Sequence, residues 1–173
     1  MEAHRRGICF VKHFAAESWH SKRVLDPELA LLSHLWDMKT EKASGMFWGR
    51  GKGWTVLAHA EVLAALPRDH PRRAEVLAAY ARRMDGIRKC EDPEGGWHQL
   101  LDHPESWVET SATGVLTYGI ARCVNEGWLD VSFAESERRG WAALEKKVTE
   151  EGDALLMRLG GAPTSLAPIF HWG

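Results

Sequence analysis

The chain has 173 residues, a net charge of −2 and a sequence pI near 6.5, enough for one domain that buries a core if the fold is complete within it. That charge balance, with no basic run or stripe, argues against a nucleic-acid-binding surface. No stretch approaches the roughly 20 consecutive apolar residues of a membrane span, so no membrane partner is expected.

The elements read as helices joined by loops. Residues 6–22 are a weak helix candidate, and residues 1–24 are left unassigned. Residues 54–66, rich in alanine and leucine, form a helix that Pro67 stops. Over 72–89, Val76, Leu77, Tyr80, Met84 and Ile87 recur at helical spacing with arginines opposite. The span 109–126 opens at Glu-Thr-Ser, and Gly127 is placed to cap its C-terminus. Residues 133–148 scatter Phe133, Trp141, Leu144 and Val148 among charges, as an amphipathic outer helix does. Alternating strand patterns are scarce, and Ala154–Met157 reads as a small strand or an apolar turn. Arg68, Arg72, Arg73, Arg82 and Arg83 read as a solvated face.

Nine tryptophans against two tyrosines is an unusual ratio, and about half of them are expected to line a site and half to fill the core. Cys9, Cys90 and Cys123 are odd in number and widely spaced. They read as reduced thiols in a cytoplasmic protein, not as a disulfide frame or a zinc site. The N-terminal Met-Glu-Ala-His-Arg-Arg-Gly leads into no apolar core, so no signal peptide is expected.

A repeat organises the chain. Asp26-Pro27-Glu28 precedes His34 and Asp37, Asp92-Pro93-Glu94 precedes His98 and Asp102, and Glu150–Asp153 leads into Gly160-Gly161-Ala162-Pro163. The first two copies lie 66 residues apart (92 − 26), the length of a helical hairpin with long loops. Each copy follows a polar outer helix, and the first two precede an aromatic loop and then an apolar inner helix. Stacked hairpins of this kind need neighbours to bury their faces. Such a chain forms part of a closed ring, finds a partner or belongs to a longer parent.

The most informative segment is Phe47-Trp48-Gly49-Arg50-Gly51-Lys52-Gly53-Trp54. Three aromatics, three glycines and two cations precede a helical run. Glycine lets backbone approach a ligand closely, an arginine fork suits a carboxylate, and an indole offers a flat face to a sugar ring. Together they point to recognition of an acidic sugar.

These residues carry a resemblance. Segment 47–54 is similar to the F-W-G-R-G-N-G-W signature of glycoside hydrolase families 88 and 105, the unsaturated glucuronyl and rhamnogalacturonyl hydrolases. Leu32–Asp37 resembles the upstream L-x-H-x-W-D element. Trp97–Ser106 resembles W-H-Q-V-L-D-D-P-E-S, and Val108–Thr113 the E-T-S-A-T helix start. Gly127–Asp130 and Gly160–Pro163 continue the match in order.

The resemblance implies an all-α fold in which helical hairpins form part of an (α/α)6 toroid over residues 25–173. It implies action on a 4,5-unsaturated uronic acid at the non-reducing end of an oligosaccharide. An aspartate protonates C4, water adds at C5, and the resulting hemiketal opens and expels the neighbouring sugar. No metal or organic cofactor is implied. Family members run to more than twice this length, and their acid–base aspartate lies in an N-terminal half with no counterpart here. No catalytic residue is therefore assigned. The expected partners are the oligosaccharide and either a complementing N-terminal half or a second copy of the chain.

Three residues are assigned to substrate binding: Arg50 for the carboxylate or a hydroxyl, Trp54 for stacking, and His34 for a hydroxyl or the water. Against each stands a structural role: a loop pin, a helix-entry core tryptophan, a loop brace. Trp48 is expected beneath the loop, His98 as a loop brace, and Glu109 at a helix start where the dipole favours it. Asp102 and Glu105 are read as a loop and capping pair. Lys52 replaces the signature's asparagine; it either adds attraction for a carboxylate or points into solvent, and the latter is expected. The readings that compete are a hydrolase represented by part of its ring and inactive alone, a binding or remnant protein without chemistry, and another (α/α)6 activity such as an epimerase.

Overall fold

A computed structural model of the chain describes residues 19–148. The third repeat copy, the segment Ala154–Met157 and most of the 6–22 helix candidate lie outside those residues. In chain order come α1 (Trp19–Val24), a two-stranded antiparallel ribbon of β1 (Trp36–Asp37) and β2 (Lys42–Ala43), α2 (Gly49–Ala65), α3 (Arg73–Lys89), α4 (Thr110–Asn125), a 3-10 turn (Val131–Phe133) and α5 (Ala134–Glu145).

Helix α2 packs chiefly on α4, and α4 on α5. The core between the helices is built from Val56, Ala60, Leu63, Val76, Tyr80, Met84, Leu116 and Ile120. Trp97 is wholly buried, and its indole N–H donates to Ile87 O at 2.9 Å. The Tyr80 hydroxyl meets Cys123 Sγ at 3.1 Å and ties α3 to α4.

The two fully described repeat copies share their turn chemistry. Asp26 Oδ1 accepts from the amides of Glu28 and Leu29 at 2.9 and 2.8 Å, and Asp92 Oδ1 accepts from Glu94 N at 2.8 Å. Aspartate favours such turns because its carboxylate satisfies amides two or three residues on. Short bridges close both turns, Leu25 to Leu32 and Glu91 to Trp97, and a third, Trp48 to Leu100, joins the two copies.

Helix ends are capped as local chemistry dictates. Glu109 is the N-cap of α4, and its carboxylate accepts from Ala112 N and Ser111 Oγ. Gly127 sits at φ +68°, and Trp128 N donates to Cys123 O at 2.8 Å, a six-to-one bond that ends α4 with a glycine in the left-handed region.

Helix α2 departs from the sequence expectation. It begins at Gly49, five residues before Trp54, so the signature is the first turns of a helix and not a loop. Glycine is a poor helix former, and packing overrides that preference. A Cβ on Gly49 would lie 2.6 Å from His98 O, and one on Gly53 2.7 Å from Val115 Cγ1. These two glycines bring α2 against its own neighbours and not against a ligand.

The arginine run is also corrected. Arg73 donates from Nη1 to the carbonyls of Leu63 and Leu66 at 2.7 and 2.6 Å, closing the C-terminal end of α2. Arg83 is buried. Arg68 and Arg82 are exposed as expected.

Candidate functional site

The start of α2 carries the candidate site residues. Trp48 is its N-terminal flanking residue and is half-buried, with Gly49 N bonded to Gln99 O at 2.9 Å. Its ring is the hub of a small cluster. His34 meets it edge-on, with centroids 4.9 Å apart at 70°, and the Arg50 guanidinium carbon sits 5.0 Å from its centroid. The cation–π contact lays the guanidinium on the indole face and limits its directions. Trp54 is one helical turn past Arg50, on the same side of the helix, and is 62% exposed. A helix-entry core role for Trp54 is thus not what the fold gives it.

His34 differs from the histidine of the second repeat copy, and the backbone bonds set it against Gln99 and not against His98, contrary to the sequence expectation. His98 is buried and braced at both ring nitrogens, Nδ1 on Ser106 O and Nε2 on Asp92 Oδ2 at 3.0 Å. That is the loop-bracing role expected of it. The His34 ring makes no such bond among the described residues, and only its backbone amide is tied, to Met46 O at 2.8 Å. Burial, and then the charge of Lys52, push the His34 imidazole below its ordinary pKa. It is therefore neutral at pH 7, presenting one N–H donor and one acceptor.

The acids near the signature in sequence are otherwise engaged. Asp37 turns the β1–β2 hairpin by accepting from Lys39 N and Thr40 Oγ1, each at 2.8 Å. Glu109 is a wholly buried cap, as its position before a helix implied. Asp102 and Glu105 do not cap α4, because Glu109 occupies that place. They flank His103 instead, Glu105 Oε1 at 2.7 Å from Nδ1 and Asp102 Oδ2 at 3.7 Å from Nε2.

Lys52 overturns its expectation. It is 6% exposed, and burial drives its ammonium down to about 8. The helical period could have revealed this. Once α2 starts at Gly49, Lys52 falls on the stripe of Val56, His59 and Leu63, all buried. The hub role of Trp48 had no such signal, since it depends on a loop, residues 34–46, that folds back over it.

A family model described as Glycosyl Hydrolase Family 88 matches residues 9–165. The chain belongs to that family. An unsaturated 3S-rhamnoglycuronyl hydrolase of Alteromonas sp. (strain LOR) is 32% identical over 69% of this chain and 30% of the relative. The unsaturated rhamnogalacturonyl hydrolase YesR of Bacillus subtilis (strain 168) is 30% identical over 83% of this chain and 40% of the relative. Among solved structures, one described as a possible GH105 family member, from Salmonella enterica serovar Paratyphi A, superposes with a TM-score of 0.73. That alignment, at 27% identity, covers 82% of this chain and 38% of the other. The chain thus spans between 30% and 40% of the length of these relatives. In this family-88 chain, α2–α3 and α4–α5 are helical hairpins of an (α/α)6 toroid.

Proposed function

We propose that the start of α2 is the gripping wall of a site for a 4,5-unsaturated uronic acid at the non-reducing end of an oligosaccharide. The observation that carries this is the convergence of His34 and Arg50 on the Trp48 ring, with Trp54 exposed one turn away. Arg50 offers N–H donors to the uronate carboxylate, Trp54 a stacking face, and neutral His34 a donor and an acceptor for a hydroxyl or the attacking water.

The reaction is hydration of the enol ether: a proton goes to C4 and the hydroxyl of water to C5. The hemiketal so formed opens and expels the adjacent sugar as an alcohol. The proton donor is an aspartate from elsewhere in the ring, since Asp37 and Glu109 serve the fold. The 173-residue chain alone therefore binds and does not turn over.

The test is titration of an unsaturated uronide disaccharide against the chain, followed by tryptophan fluorescence, with loss of the uronide's ultraviolet absorbance as the activity readout. Binding that Arg50→Ala weakens by tenfold or more, one charged contact of about 1.4 kcal/mol, supports the assignment. Unchanged affinity in Arg50→Ala places the carboxylate elsewhere, and turnover by the chain alone places an acid within it.

A further inference from the structure

Of the glycines in the 47–54 signature, the middle one has different neighbours from the other two. Gly49 and Gly53 face other elements of the chain. A Cβ on Gly51 would instead lie 2.7 Å from Cε3 and 3.4 Å from Cδ2 of Trp48, and 3.3 Å from Nδ1 of His34. Two side chains of the candidate site thus rest where any other amino acid would carry its own. Residues three apart share one face of a helix, and the Trp48 indole reaches over Gly51 along the first turn of α2.

Nothing polar among the described residues fixes that indole. Its N–H is buried and finds no acceptor among them, although a buried tryptophan N–H usually has one. The ring is placed by shape. The bare Cα of Gly51 lies against it, the Arg50 guanidinium carbon sits 5.0 Å from its centroid, and the His34 ring meets it edge-on at 4.9 Å. A Cβ at 2.7 Å from a ring carbon is far inside the optimal separation of two carbons. A rigid indole relieves such a contact only by turning as a body about χ1 and χ2. Turning it carries away the face on which Arg50 lies and the ring that His34 leans on. The helix resists moving aside, because Gly51 O accepts from Thr55 Oγ1 at 3.2 Å.

We propose that Gly51 is a positioning residue of the uronide site, an assignment that rests on the reading of that site given above. By carrying no side chain it seats the Trp48 indole, and through that ring it aims Arg50 and His34 at the ligand. Gly49 and Gly53 serve helix packing, whereas Gly51 serves the geometry of the site.

Gly51→Ala in the 173-residue chain tests this. The readouts are calorimetric titration of an unsaturated uronide disaccharide and, without ligand, the imidazole resonances of His34 in protein carrying isotope-labelled histidine. Affinity is expected to fall at least about tenfold. The His34 resonances should shift as the ring leaves the indole, and its titration midpoint should rise as burial is relieved. The unfolding midpoint should stay within about 4 °C of wild type, because alanine's better helix propensity offsets the crowding. Trp48→Phe removes the ring carbon nearest Gly51, so in that background Gly51→Ala should cost less than about threefold in affinity. If Gly51→Ala does not fold, recovery of folding on adding Trp48→Phe supports the seat, and continued failure overturns it. Unmoved His34 resonances overturn it whatever the affinity, as does an equal loss of affinity with and without Trp48→Phe. Wild-type affinity in Gly51→Ala, where Arg50→Ala loses binding, overturns the positioning role and leaves the uronide site standing. If Arg50→Ala also binds like wild type, the uronide reading itself has failed, and shifted resonances still keep the seat that Gly51 gives Trp48 and His34.

Discussion

Replacing Lys52 by methionine should stabilise the chain at neutral pH and remove a specific piece of its pH dependence. Methionine fills a similar volume without a charge, and exchanging a buried ion for a packed apolar group is often stabilising. Burial takes the Lys52 ammonium from 10.5 to about 8. At 1.36 kcal/mol per pH unit that difference amounts to about 3 kcal/mol held against the folded state wherever the lysine is charged. The folded pKa lies below the unfolded one, so between pH 8 and 10.5 the unfolded chain binds more protons. Its stability relative to the native state therefore falls as pH rises through that window. The wild type should gain up to about 3 kcal/mol across this window, and the variant should not. Near pH 7 the variant should melt roughly 6–12 °C higher if the whole penalty is relieved. Urea unfolding followed by tryptophan fluorescence, in carboxylate-free buffer near pH 7 and near pH 10.5, measures both quantities. Other titrating groups act on both proteins and cancel in the difference. Parallel pH profiles, or a variant less stable than wild type at pH 7, would refute the claim that a charged ammonium is buried at this position.

Two further substitutions probe the packing that holds the site. Gly53→Ala should destabilise by about 1–3 kcal/mol despite alanine's better helix propensity. The new Cβ would lie 2.7 Å from Val115 Cγ1 and 3.0 Å from Val115 Cβ, a branched side chain that rotation cannot clear. Chemical denaturation of Gly53→Ala with and without Val115→Ala checks this, because the double variant should recover most of the loss. Glu109→Ala should cost about 1–2 kcal/mol through loss of the α4 cap, and leave uronide affinity, read by tryptophan fluorescence, within twofold of wild type. A large loss of affinity at retained stability would make Glu109 a ligand contact.

The fold was legible where local chemistry and core packing agree. Helices α3, α4 and α5 lie within three residues of the spans that periodicity marked, because Val76, Tyr80, Met84 and Leu116, Ile120, Cys123 mark the stripes of the first two directly. The start of α2 was not legible, because three glycines in five residues read locally as a loop. Their helical state follows from contacts with His98 and Val115, distant in sequence, and no window of residues contains those. The same error hid Lys52: a lysine in a loop belongs in water, whereas a lysine in phase with Val56 and Leu63 belongs in the core. For the site, residue type and order were enough to bring forward His34, Arg50 and Trp54, while the ring on which the first two meet, Trp48, emerges only with the folding of the 34–46 loop.

The repeat supplies a comparison for His34. Its two described copies begin with the same aspartate turn, and the register of their backbone bonds sets His98 against Ser33 and His34 against Gln99. The two histidines are therefore placed and used differently. In the second copy Asp92 both makes the turn and reaches Nε2 of His98 at 3.0 Å, with Ser106 O closing on the other nitrogen. In the first, Asp26 spends its carboxylate on the amides of Glu28 and Leu29, and the His34 ring leans on Trp48 beside Arg50. A loop of this design closes without using the imidazole. In the proposed site an imidazole at residue 34, with both nitrogens unspent on described protein groups and its charge suppressed by burial and by Lys52, is left to serve the ligand that Arg50 would grip.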